Sequence, residues 1–318
     1  ESFSLLAVPL FILAGNIMNN GGIARRLVNF AKLFCGWIPG SLAQANVLGN
    51  MLFGALSGSA VAASSAMGGC IYPIQKEEGY DPAFATAVNI ASAPTGLLIP
   101  PTSAFIVYST VAGGVSISAL FMAGYIPGIL MGLGTMIVAF IYAKKHKYPT
   151  TGFVPMKEAL KVTFEAIPSL LLIVIVIGGI VGGIFTATEG AGVCVLYCLI
   201  LSIIYKSIDM KLFMKILLNS AATSGIILFL ISASSAMSWV MAYSGIPAAI
   251  SSGLMSITDN KYILLLLMNI ILLIVGMFMD CRESWDVLYP VRRNVDIQHV
   301  YGKYDTAGRF GIVRILWY

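Results

Sequence analysis

Charge is scarce in this sequence. Of its 318 residues only 10% are Asp, Glu, Lys or Arg, where a water-soluble domain carries about a quarter. Hydrophobic residues make up 58%, and the mean hydropathy is +0.89. A water-soluble fold could not hide that much apolar surface, so the solvent is lipid. Histidine is nearly missing: His146 and His299 are the two present, and both lie outside the apolar runs. Membrane depth therefore lacks the usual general base, which disfavours an intramembrane serine hydrolase built on Ser57 or Ser59. An H-E-x-x-H pair and a glycine-rich nucleotide loop are also missing, which argues against enzyme chemistry and an ATP-driven pump. The five cysteines, Cys35, Cys70, Cys194, Cys198 and Cys281, show no metal-ligand spacing. Cys194 and Cys198 share one helix face and read as small packing residues. The net charge of +5 comes with no basic stripe outside the loops, so it suits cytoplasmic loops rather than nucleic acid. The chain opens at Glu1 with no charged n-region or cleavage site, so its start reads as a truncation and not as a signal peptide.

What is present is a series of apolar runs, at about 2–19, 41–75, 83–113, 117–143, 166–184, 190–205, 216–240 and 262–280. In a bilayer such runs are helices, because lipid satisfies no backbone polar group. Two runs have the wrong length. The run 41–75 has 35 residues; as one helix it would reach roughly 52 Å, against a hydrocarbon core about 30 Å thick. Its centre is Ser57-Gly58-Ser59-Ala60, and small residues there allow a tight re-entrant tip. The run 83–113 is interrupted by Pro94, Gly96, Pro100 and Pro101. Proline removes a donor and clashes with the preceding turn, so this helix breaks near the midplane.

Lys144-Lys145-His146-Lys147, with Lys157 and Lys161, forms one basic loop, and Lys206, Lys211 and Lys215 form another. The positive-inside rule places both in the cytoplasm. Arg25, Arg26 and Lys32 lie on a short amphipathic stretch expected along the interface. A weak internal repeat runs through the chain. Gly22-Ile23 precedes Asn46 in an apolar run, much as Gly245-Ile246 precedes Asn269, and each run then reaches a Gly/Met/Phe region (Met51-Leu52-Phe53-Gly54 and Gly276-Met277-Phe278). The expected organisation is a first repeat half at 1–143, a cytoplasmic loop at 144–165, a partial second half at 166–280 and an aberrant or truncated tail at 281–318. The tail carries ten charges in 38 residues and holds no apolar run long enough for a second hairpin. Asp280 closes the last apolar run, either paired or hydrated inside the membrane or snorkelling to its edge.

Three stretches could carry chemistry. At Leu56–Ala62 a re-entrant tip would leave carbonyls without helical partners, and with the serine hydroxyls these are hard oxygen donors of the kind a sodium ion takes. The same small residues also suit a helix-packing seam. At Ala93–Ser103 an unwound centre offers further carbonyls to a cation, and the following half-helix offers its N-terminus to an anionic substrate; a structural kink is the alternative. At Gly182–Gly190, Thr188 could simply cap the next helix, with Glu189 favouring its positive end.

Taken together these residues resemble the large membrane subunit of the tripartite ATP-independent periplasmic (TRAP) transporters, the DctM-like family. The stretches that carry the resemblance are Val8–Gly15, Gly21–Leu27, Ser57–Ala62, Gly79–Ala85, Gly96-Leu97-Leu98-Ile99-Pro100-Pro101-Thr102, Gly182–Glu189 and Gly276–Asp280. The resemblance covers about 1–280. It implies an elevator-type carrier in a bacterial inner membrane that imports an organic acid, such as a C4-dicarboxylate, keto acid or sialic acid, together with sodium. It implies two protein partners, a small four-helix membrane subunit and a periplasmic substrate-binding protein, and no cofactor beyond sodium as coupling ion. It places a sodium site between the first hairpin tip and the first broken helix, at Ser57, Gly58, Ser59, Gly96, Ile99 and Pro101 here. Thr95, Thr102 and Ser103 are the substrate candidates beside it. A second site would use the second half, where the tail from Cys281 departs from the family pattern. The expected fold is thus an all-α membrane protein: a multi-helix bundle with a re-entrant hairpin, Pro-broken helices and an inverted repeat whose second copy is incomplete. The alternative is a sodium-coupled citrate or dicarboxylate carrier of the wider ion-transporter group, working without a binding protein.

Overall fold

The computed structural model describes residues 3–111, 115–150, 152, 155–257 and 260–279. Within them thirteen α-helices follow one another and no strand occurs. The backbone satisfies itself locally, as lipid requires. Among the described residues four helices are long and apolar enough to cross a membrane, and up to six spans result if each of two bent pairs counts as one.

The first bent pair is α1 (Ala7–Asn20) and α2 (Ile23–Cys35), which meet at 70°. The corner is Gly21-Gly22. Gly22 sits at φ +75°, a left-handed conformation that costs a side-chain-bearing residue about 1–2 kcal/mol. α1 is the hub of the molecule: Ala7, Val8, Phe11, Ala14, Ile17 and Met18 are all fully buried, packed among α3, α10 and α11. α2 presents its polar face outward, with Arg25 exposed and Ile23, Ala24, Leu27 and Val28 buried.

The overlong run 41–75 folds as a hairpin, α3 (Ser41–Ser57) and α4 (Ala60–Glu77). α3 ends at Gly58, whose φ of +61° lets its N–H reach back to the Gly54 carbonyl at 2.8 Å. α4 starts at once, because the Ser59 side chain accepts the Ala62 N–H. The arms run antiparallel, with Gly49 of α3 facing Met67 and Ile71 of α4. The run 83–113 folds as α5 (Pro82–Ser92), the single turn α6 (Thr95–Leu98) and α7 (Ser103–Val111). A 42° bend falls at Ile99–Thr102, and Pro100-Pro101 is a cis peptide bond.

Four long helices follow: α8 (Ile117–Lys145), α9 (Met156–Val181), α10 (Ala187–Ile204) and α11 (Met210–Tyr243). Two details differ from the sequence reading. α9 begins within the stretch taken as loop, because Lys157, Glu158, Lys161 and Glu165 form a polar overture to its apolar turns. The cap of α10 is Thr186 and not Thr188. Thr186 accepts the Glu189 N–H while the Glu189 carboxylate accepts the Thr186 N–H at 2.8 Å, a reciprocal pair that needs the T-x-x-E spacing. Last come α12 (Ile246–Ile257) and α13 (Lys261–Met279). Gly22 and Gly245 both take positive φ immediately before a short helix, the positions paired in the sequence comparison of the two halves. Asp280 and the tail 281–318 lie outside the described residues.

The candidate ion site at the hairpin tip

Sequence places the glycines and prolines, and the fold brings them to one point. Gly54 on α3 lies against Gly96 on α6: a methyl added to Gly96 would stand 2.8 Å from the Gly54 Cα and 3.6 Å from the Ser59 carbonyl oxygen. Gly58 at the tip faces the break. A methyl there would meet the Pro101 carbonyl oxygen at 2.8 Å and the Thr102 Cα at 3.0 Å. α1 closes the third side, since a methyl on Gly15 would lie 3.2 Å from the Ser57 carbonyl oxygen. Ser57, Gly58, Gly96, Ile99 and Pro101 are buried and Ser59 is half-buried; Gly58 meets Pro101 and Gly96 approaches Ser59, while the Ile99 side chain lies against Gly128 of the next long helix.

The prolines of the break leave carbonyl oxygens without their helical donors. Pro100 and Pro101 have no N–H to give to the carbonyls of Gly96 and Leu97 four residues back. Around the break the helical ladder is interrupted between α6 and α7. The candidate substrate residues differ among themselves. Thr95 is buried and its hydroxyl donates to the Ser92 carbonyl at 2.6 Å; Thr102 is buried and its hydroxyl accepts the Phe105 N–H at 3.3 Å, which starts α7. Ser103 is half-buried as the first residue of α7. Among the described residues no group of three His, Cys, Asp or Glu could hold a metal ion. Any cation here would rest on neutral oxygens.

The sequence reading missed the polar network behind the tip. Asn50 Nδ2 on α3 donates to Ser92 Oγ at 2.7 Å and to Asn46 Oδ1 at 3.0 Å, and lies 3.1 Å from Asn89 Oδ1 on α5. Asn89 Nδ2 in turn donates to the Ser64 carbonyl of α4 at 2.9 Å. All five residues are buried. The network therefore ties both hairpin arms to the helix that leads into the break. The missed signal was amides at i and i+4 (Asn46, Asn50) within an apolar run, since polar side chains at membrane depth are costly unless partnered.

At the hairpin base, Tyr80 stacks on Tyr148 with ring centroids 4.5 Å apart, and the Asp81 N–H donates to the Tyr148 hydroxyl at 3.2 Å. Burial pushes the Tyr80 hydroxyl up to about 12, so it stays neutral. The hairpin thus opens on the side where Lys144–Lys147 emerge.

The chain matches the family described as "Tripartite ATP-independent periplasmic transporter, DctM component" over residues 1–299. It is 48% identical to the uncharacterized protein YgiK of Salmonella typhimurium over 99% of this chain and 72% of that protein. It is 37% identical to the sialic acid TRAP transporter large permease protein SiaM of Vibrio cholerae, over 99% of this chain and 73% of the relative. Against the C4-dicarboxylate TRAP transporter large permease protein DctM of Pseudomonas aeruginosa the identity is 37%, over 92% of this chain and 68% of that one. A hairpin that reverses at a left-handed glycine against a proline-broken helix, in a multi-pass helical membrane protein, is the geometry this match accompanies: the chain belongs to the DctM family of TRAP transporter large permeases, a family of transporters and not of enzymes.

Proposed function

We propose that this subunit imports an organic acid across a bacterial inner membrane by symport with sodium, binding the ion between the Ser57–Ser59 tip and the Gly96–Pro101 break. The observation that carries the reading is the contact of Gly58 with the Pro101 carbonyl and the Thr102 backbone. It brings two interrupted helices together where their carbonyls are free to turn toward a cation. The substrates in the names of the relatives, sialic acid and C4-dicarboxylates, are organic acids, and they set the class. The half-helix α7 would present its N-terminus, beside Thr102 and Ser103, to such an anion. TRAP large permeases work with a small membrane subunit and a periplasmic binding protein; for this chain we take the partners to be a four-helix subunit and a binding protein that delivers the acid. The basic stretches Lys144–Lys147 and Lys206–Lys215 set the cytoplasmic side, so the hairpin enters from the cytoplasm. Hairpin and broken helix, clasped by Asn50 and Asn89, would move as one body in an elevator-type step.

The test is uptake of a panel of labelled organic acids by the full-length subunit reconstituted with both partners. An inward sodium gradient should drive accumulation of at least one acid, and replacing sodium by potassium should abolish it. Accumulation that persists without sodium under a proton gradient would refute the coupling.

A further inference from the structure

A cavity of about 320 Å³ is lined by Gly22, Arg25, Arg26, Asn29 and Glu165, none of them a residue of the candidate ion site. Its place follows from α2. At one end of that helix Arg26 lies over the Tyr205 ring, 3.4 Å from its centroid, and Gly22 faces Ser207. At the other end the Gly36 carbonyl accepts the Gly152 N–H at 3.0 Å. α2 is therefore bracketed by the two basic loops, bent 70° away from α1. A 13-residue helix with one polar face, held between those loops, would lie in the headgroup layer if the bend takes it out of the span that α1 begins.

The lining is chemically specific. Arg26 is held by its stacking on Tyr205 and by one hydrogen bond, Nη1 to the Gly22 carbonyl at 3.1 Å. A guanidinium has five donors, and its free edge can take phosphate oxygens in bidentate fashion. Arg25 is exposed beside it and Asn29 adds an amide. Glu165 brings a carboxylate to the same cavity, which would repel a purely anionic guest and attract an ammonium. Exposed apolar side chains neighbour two of these residues in sequence: Phe164 precedes Glu165 and is 68% exposed, and Ile203, two residues before Tyr205, is 74% exposed; acyl chains would need such surfaces.

We propose that this cavity binds the headgroup of phosphatidylethanolamine, with the phosphodiester on Arg25 and Arg26 and the primary ammonium on Glu165. The site depends on the orientation proposed above only for the leaflet it faces, and labelling at position 146 measures that separately. Bound lipid would fix the angle at the Gly21-Gly22 corner, where α2 joins the buried hub α1.

The experiment uses the full-length subunit in its assembly, stripped of lipid in detergent. Phosphatidylethanolamine, phosphatidylglycerol or inorganic phosphate is added back, the thermal midpoint is followed, and retained lipid is counted by native mass spectrometry. Phosphatidylethanolamine should raise the midpoint most and be retained at one copy per subunit. The R25Q/R26Q variant should bind it at least tenfold more weakly, and E165Q should bring phosphatidylglycerol level with it. Arg25→Gln alone, at an exposed position, carries the test if loss of the Arg26–Tyr205 stack unfolds the protein. Equal binding by the arginine variants, a preference of the wild type for phosphatidylglycerol, or an equal effect of inorganic phosphate would each overturn the assignment.

Discussion

Replacing Gly54 by alanine adds one methyl group at the point where the hairpin meets the broken helix. That methyl would fall on the Gly96 Cα, with the Gly96 nitrogen at 2.9 Å. Both neighbours are backbone, so neither can swing aside as a side chain could. Restoring an ordinary carbon–carbon separation of about 3.5 Å requires the two elements to part by roughly 1 Å. Overpacking of this kind costs about 1–3 kcal/mol. If the strain falls on the closed arrangement that the ion stabilises, sodium affinity drops by about 5- to 150-fold, at roughly 1.4 kcal/mol per decade. Gly69 is the control: it also lies within α4 of the hairpin, and a methyl there meets nothing within 4 Å. Gly69→Ala should leave coupling intact and stabilise the helix by about 0.5–1 kcal/mol. The assay is the sodium concentration for half-maximal uptake in proteoliposomes, with folded protein quantified in parallel. If Gly54→Ala matches Gly69→Ala in sodium dependence, the tip and the break do not share the ion.

Asn50→Ala takes a donor from the buried Asn46 and Asn89 side-chain oxygens and should cost about 1–3 kcal/mol, read as a lower thermal midpoint; an unchanged midpoint would show that the clasp adds nothing. Thr186→Ala removes one half of the capping box and should destabilise the start of α10 by about 1 kcal/mol, seen as faster amide exchange at Ala187–Glu189, while Glu189→Gln keeps both bonds and should change little. A cysteine placed at position 146 should resist an impermeant reagent from the periplasmic side; efficient labelling there would invert the topology.

The hairpin and the break were legible because each rests on residues with few alternatives. Gly58 can take positive φ where other residues resist it, and Pro100-Pro101 cannot continue a helix. Length alone was a weaker guide. The run 41–75 and α11 hold 35 and 34 residues, yet α11 is continuous because it contains neither a serine-flanked glycine tip nor a proline. The cap at Thr186 was readable from the T-x-x-E spacing, and the acid at Glu189 was seen while the wrong threonine was paired with it. The Asn50–Asn89–Ser92 network was hidden for another reason. Its partners are 39 and 42 residues apart, so only the folded hairpin shows that these side chains meet. The Gly54–Gly96 approach was hidden in the same way, since a glycine in a helix does not announce what it touches.

The buried polar side chains among the described residues are all neutral: Ser, Thr, Asn and Gln, with no Asp, Glu, Lys or Arg. That has a consequence for the ion. A divalent cation in a dry site demands carboxylates to offset its charge, and the tip and break offer carbonyl dipoles and hydroxyls instead. Such a site suits a monovalent ion, held weakly enough to leave again, as a carrier needs. The ion's positive charge then has no protein counter-charge nearby, so an organic anion beside it at the start of α7 would find both that charge and the helix dipole favouring it. Coupling would in this way need no direct contact between ion and substrate. If sodium stabilises the closed hairpin, it would also build the electrostatic setting in which the acid binds. The Asn50–Asn89 clasp would carry the ion's effect on the tip into the arms of the hairpin.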